Sequence, residues 1–120
     1  MPIQTPICDF GQIAIPFELK STQNTIVSLN EVKGENGTLV MFICNHCPYV
    51  RAVLNEIVEV SKKLEKIKVN TVAICSNDAT KYPEDSFENM IKFSIENKFN
   101  FPYLRDETQE IAKKYKAVCT

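Results

Sequence analysis

The sequence predicts an α/β domain, an N-terminal β-hairpin followed by parallel β-α-β units. Two observations carry this. Apolar runs rich in strand formers, TLVMFIC at 38–44 and VNTVAIC at 69–75, alternate with segments whose apolar residues recur every three or four positions. Upstream of them, two short strand-like stretches flank a polar turn. A chain of 120 residues holds one core and is too short for two ordinary domains, so residues 1–120 read as a single domain without repeat or internal linker.

The elements follow in order. IPFELKS (15–21) and TIVSL (25–29) around TQN (22–24) form the hairpin. KGENG (33–37) is a turn signal, and the run 38–44 after it is apolar on both faces, which predicts a central strand. In residues 48–67, Val50, Val53, Leu54, Ile57, Val60 or Ser61, and Leu64 share a helical face. The run 69–75 is the next strand. A second helix is expected over about 86–97, with Asp85 as N-cap and Glu88 as its capping-box partner. FPYL (101–104) is a short strand whose Pro102 favours an edge or a strand start, and 107–117 forms a third helix around Ile111, Ala112 and Tyr115. Right-handed crossovers make the three later strands parallel and gather function at their carboxyl ends, where Cys44 and Cys75 both fall.

Composition narrows the function classes. Fourteen basic and fifteen acidic residues are interspersed, so no stripe is predicted that could track a phosphate backbone, and nucleic acid is not an expected partner. The first twenty residues lack a basic start and a long apolar stretch, and no run reaches the length of a membrane span. The expectation is a cytoplasmic protein with no membrane partner. Five cysteines, at 8, 44, 47, 75 and 119, are odd in number and irregularly spaced, unlike a disulfide framework.

Only Cys44 and Cys47 are close enough in sequence to interpret without the fold. A Cys-x-x-Cys where a strand meets a helix places two sulfurs near each other and near the positive end of the helix, which stabilises a thiolate. Thiol-disulfide exchange needs that nucleophile and a second thiol to resolve the mixed disulfide. His46, the sole histidine, lies between them and can favour a thiolate when protonated. Two small buried thiols are the plain alternative. A zinc site is the other: Cys44, His46 and Cys47 are ligand types, but no second ligand pair closes a four-ligand site. No metal or organic cofactor is therefore expected. Proline prefers the first helical position, so the helix should start at Pro48 with Cys47 as N-cap.

GTLVMFICNHCPYVRAVLNEI, AICSNDATKYPEDSFENM and FPYLRDETQEIAKKYKAVCT resemble the thioredoxin-like redoxins, a group related to peroxiredoxins that includes thiol-disulfide isomerases. The resemblance runs through nearly the whole chain. It implies a thioredoxin-like fold with Cys44 and Cys47 as redox-active pair, and Cys44, Cys47 and His46 as catalytic residues. In that group the ACT segment is followed by a cis-proline, an antiparallel hairpin and a last helix. Here the chain ends at Thr120, so these parts are expected to be missing, and a homo-oligomer contact could cover the sheet edge they leave open. The thioredoxin alignment makes Cys44 the attacking thiol; a peroxiredoxin alignment of Cys47-Pro48 makes Cys47 peroxidatic. Cys44 is favoured, since a position at the rim suits exchange with a bulky disulfide. The expected partners are a protein or small-molecule disulfide and an electron donor that the sequence does not name. The alternatives are a thiol peroxidase acting through Cys47 and a non-catalytic binding module.

Other residues are secondary candidates. Cys119 lies near the pair by family position, as a third redox thiol or an inert one; Cys75 reads as core and Cys8 as partly exposed. Arg51 could hold a thiolate or meet an acidic substrate, Tyr49 could line a groove, and NDATKYPEDS (77–86) is a polar loop at the catalytic rim.

Overall fold

The computed structural model describes residues 9–118. Strand β1 (Glu18–Ser21) turns back antiparallel into β2 (Ile26–Ser28). The turn is closed by Asn24 N–H to the Ser21 carbonyl, with Asn24 in the left-handed region at φ 62° that asparagine tolerates. The hairpin is as expected, and a one-turn helix α1 (Leu29–Val32), capped by the Ser28 hydroxyl, follows it. Strands β3 (Gly37–Phe42) and β4 (Val69–Cys75) are parallel and are joined through helix α2 (Pro48–Lys66). A 3₁₀ turn (Pro83–Asp85) and helix α3 (Phe87–Glu96) lead to β5 (Tyr103–Arg105), parallel to β4, and then to helix α4 (Glu110–Lys114).

The sheet order is β2-β1-β5-β4-β3. The 38–44 run, expected as a central strand, is an edge strand with no partner but β4 among the described residues, and this is the edge that was expected to be left open. Of the two places Pro102 favours for the 101–104 segment, an edge or a strand start, the second holds: Pro102 stands just before β5, where its missing N–H costs no ladder bond, and β5 lies inside the sheet between β1 and β4. The third helix is shorter than expected, five residues from Glu110 to Lys114.

Alternation along β4 divides the core. Ala73 and Cys75 face a cluster with Leu54, Val58, Met90, Phe93 and Tyr103, under α2 and α3; Val72 and Ile74 face Phe17, Leu29, Leu104 and Ile111. On α2 the buried residues are Val50, Leu54, Val58 and Ser61, spaced four, four and three. Ser61 rather than Val60 completes the stripe, because its hydroxyl is satisfied by the Val58 carbonyl and Asn100 Oδ1. No helix among the described residues is long and apolar enough to cross a membrane.

Candidate active site

Helix α2 begins at Pro48 with Cys47 as N-cap in extended geometry, as the proline requires. Strand β3 ends at Phe42, so residues 43–47 form the connection, and the Cys47 amide turns back to donate to Cys44 Sγ at 3.2 Å. That amide belongs to the positive end of a 19-residue helix, which favours negative charge on the sulfur. Both cysteines are covered, Cys44 at 1% and Cys47 at 8% exposure. The expected accessibility of Cys44 at the rim is therefore not found: the connection folds inward over the core cluster under α2 and takes the sulfur with it.

Asn45 holds this connection, and every polar group of it has a partner. Its backbone N–H donates to Asp85 Oδ1 at 2.8 Å, its Nδ2 to the Glu84 carbonyl at 2.9 Å, its Oδ1 accepts from the Tyr103 hydroxyl at 2.8 Å, and its carbonyl accepts from Arg51 Nε at 3.0 Å. Arg51 is thereby committed to backbone support, and its guanidinium lies 5.9 Å from the Phe93 ring centre. Tyr49 points outward at 82% exposure.

His46 is half-buried. Its Nδ1 lies 2.6 Å from Asp85 Oδ2, and its ring stacks on Tyr82 at 5.2 Å between centres and 15° between planes. Asp85 is completely buried and also accepts from Asn77 Nδ2 at 2.8 Å. The expectation that Asp85 caps the second helix is thus corrected. Ser86 is the N-cap and accepts from the Asn89 amide, not from Glu88, which frees Asp85 to face the Cys-x-x-Cys connection. The loop 77–86 contributes Asn77, Tyr82, Glu84 and Asp85 to the site. Asp85 is the site residue that sequence reasoning missed: the polar loop 77–86 reads as part of the rim, but nothing in its sequence shows that Asp85 lies beside His46.

Among the described residues, Cys44, His46 and Asp85 form one group that could hold a metal, each offering an atom within 4.8 Å of the others. A sulfur, an imidazole and a carboxylate suit zinc. Two ligands of a tetrahedral ion with bonds near 2.0–2.1 Å stand about 3.3 Å apart. The 2.6 Å between His46 Nδ1 and Asp85 Oδ2 is shorter than that, and Nδ1, though buried, finds no hydrogen-bond partner among the described residues.

Cys75 is fully buried at the end of β4, as expected of a core thiol, and Arg105 Nη1 approaches its sulfur at 3.6 Å. Burial raises its pKa above the ordinary thiol value, with a further push from Asp85. Burial likewise pushes the Tyr103 hydroxyl up, so it remains a neutral donor to Asn45. Cys8 and Cys119 lie outside the described residues.

A mixed sheet with a Cys-x-x-Cys at the amino end of the helix after β3 defines a thioredoxin-like fold. Residues 10–120 match the AhpC/TSA family of redoxins, and the chain belongs to that family. It is similar to an uncharacterized conserved protein from Geobacillus kaustophilus, with 47% identity and a TM-score of 0.96 over 100% of this chain and 65% of the other. A hypothetical protein from Sinorhizobium meliloti 1021 is 32% identical, with a TM-score of 0.93 over 98% of this chain and 64% of the other. The chain therefore spans slightly less than two thirds of the length of each. The thioredoxin domain of a thiol-disulfide oxidoreductase from Bacteroides vulgatus shares the fold, with a TM-score of 0.75 at 17% identity, over 94% of this chain and 77% of the other. No curated protein matches.

Proposed function

We propose that this chain is a thiol-disulfide oxidoreductase in which Cys44 attacks and Cys47 resolves. The observation that carries the reading is the Cys47 amide donating to Cys44 Sγ at the amino end of α2, which stabilises negative charge on Cys44. The Cys44 thiolate attacks one sulfur of a protein or small-molecule disulfide, forming a mixed disulfide and expelling the other sulfur as a thiolate, which takes up a proton. Cys47, as its thiolate, then attacks Cys44 Sγ. The Cys44–Cys47 disulfide forms, the second substrate thiol leaves, and two electrons have passed to the substrate. A separate electron donor returns the pair to the dithiol.

The burial of both sulfurs favours one competing reading, a thiol peroxidase, because peroxide is small enough to reach a covered thiol. There, Cys47 thiolate attacks the peroxide O–O bond, releasing alcohol or water and leaving a sulfenic acid that Cys44 condenses into the same disulfide with loss of water. Mixing the reduced protein with a small disulfide or with hydrogen peroxide in single turnover separates the two. The exchange reading expects rapid oxidation by the disulfide that is lost in Cys44→Ser. Peroxide consumption persisting in Cys44→Ser for one turnover would establish the peroxidase instead, and inertness to both reagents would leave a binding module.

A further inference from the structure

The Cys-x-x-Cys connection and the loop 77–86 bring three kinds of metal ligand to one point. Cys44 Sγ, an imidazole nitrogen of His46 and an Asp85 oxygen lie within 4.8 Å of one another. Exchange chemistry uses only the first of them. His46 Nδ1 is buried and makes no hydrogen bond, although Asp85 Oδ2 stands 2.6 Å away. A buried nitrogen in that condition costs free energy. A nitrogen and a carboxylate oxygen that face each other with no hydrogen bond between them are a pair that a cation joins. Asp85 itself is anchored on several sides: Oδ1 accepts from the Asn45 amide, Oδ2 from Asn77 Nδ2, and the backbone carbonyl from Arg105 Nη1 at 3.1 Å. These donors orient the carboxylate as outer partners orient a metal ligand, and the Cys47 amide does the same for the Cys44 sulfur.

We propose that Cys44, His46 and Asp85 form a zinc site of the reduced protein, with water in the fourth position. A thiolate, an imidazole and a carboxylate are together a donor set for zinc. A tetrahedral ion sets the nitrogen and oxygen about 3.3 Å apart, and each of them about 3.6 Å from the sulfur. Distances to the sulfur lie within the observed 4.8 Å span, while the nitrogen and oxygen, now 2.6 Å apart, must separate by about 0.7 Å. The imidazole makes that movement. Asp85 is fixed by its donors, whereas the His46 side chain is 35% exposed and can slide along Tyr82, on which it stacks. The same exposed side admits the ion, since Cys44 is covered. Binding replaces the Cys44 thiol proton, which passes to solvent, by a Zn–S bond. Because the site and the redox pair share the Cys44 sulfur, zinc guards the thiolate, and disulfide formation displaces the metal. A substrate disulfide takes two electrons from Cys44 and Cys47, and the ion leaves as Zn²⁺, its charge unchanged. That release rests on the exchange reading; the zinc site does not.

Cobalt(II) serves as a coloured probe of the same geometry. Reduced protein, stripped with a chelator and titrated first with cobalt and then with zinc, is expected to take up one equivalent. The cobalt form should show thiolate-to-metal absorption in the near ultraviolet and the visible bands of a tetrahedral ion, and zinc should erase both. His46→Ala and Asp85→Asn should each weaken zinc binding by more than about a hundredfold, beyond the loss that removing a partner outside the ligand set causes. Cys44→Ser should abolish the near-ultraviolet band, and Cys47→Ser should bind zinc like the native chain. No uptake by the reduced chain, cobalt uptake without thiolate absorption, or zinc binding undiminished in His46→Ala would each overturn the site. So would binding that needs Cys47 but not His46, which would be chelation by the two cysteines alone. If Asp85→Asn does not fold, His46→Ala decides, since it alters a partly exposed ring. Protein oxidised to the Cys44–Cys47 disulfide should bind no zinc, and zinc retained by it would also overturn the assignment. A chain that binds zinc as expected but forms no such disulfide would remove the exchange reading and the redox release while leaving the zinc site.

Discussion

Cys47→Ser is expected to accumulate as a mixed disulfide with its substrate. The first attack needs only Cys44, whose sulfur receives the Cys47 backbone amide, a donor that serine at 47 retains. The second attack needs the Cys47 thiol, and a serine hydroxyl does not displace a disulfide at neutral pH. Incubation with a small aromatic disulfide should therefore add one equivalent of its thiol to Cys47→Ser, detected by mass and removed by dithiothreitol. Cys44→Ser should give no such adduct at the pair, and turnover of either variant should fall to the uncatalysed rate. The reverse pattern, with an adduct only in Cys44→Ser, would assign the attack to Cys47.

The largest effect on stability at the site is expected from Asn45→Ala. That change strips the acceptor from the buried Tyr103 hydroxyl and the donor from the Glu84 carbonyl, and a stranded buried polar group costs about 1–3 kcal/mol. The chain should lose about 2–4 kcal/mol in all, read as a lower urea midpoint with an unchanged slope. Tyr103 is 1% exposed and its hydroxyl cannot reach water by a small movement. Adding Tyr103→Phe to Asn45→Ala should therefore recover part of the loss, because removing both partners is cheaper than removing one. A double variant no more stable than Asn45→Ala would show that the stranded hydroxyl is not the source of the cost.

How much of this was readable beforehand depended on the range of the forces involved. The start of α2 at Pro48 and the N-cap at Cys47 follow from the geometry of proline, a local constraint that no tertiary contact had to supply. The hairpin was legible for the same reason, since TQN turns on its own residues. Strand order was legible only in part. Pro102 marks a strand start, as β5 begins just after it, but a proline does not say that the strand lies inside the sheet, and residues 38–44 are apolar enough for a central strand yet lie at the edge among the described residues, because position in a sheet is set by which strands find each other. The role of Asp85 was hidden by distance along the chain: its carboxylate meets Asn45, forty residues away, while its neighbours Pro83, Glu84 and Ser86 spell a helix start. A short acidic residue before a helix reads as a cap unless the adjacent serine takes that place, as Ser86 does here.

The account rests on Cys44 and Cys47 forming a reversible couple, and its reduction potential is the most direct test. Protein equilibrated across ratios of reduced to oxidised glutathione can be alkylated and its thiols counted by mass. Cys75 provides an internal reference, since burial holds its pKa above the ordinary thiol value and keeps it a slowly reacting thiol at neutral pH. The expected result is one two-electron transition at the Cys44–Cys47 pair, with a midpoint between about −120 and −270 mV, the span of working exchange proteins. The absence of any transition at that pair across the accessible range would contradict the account.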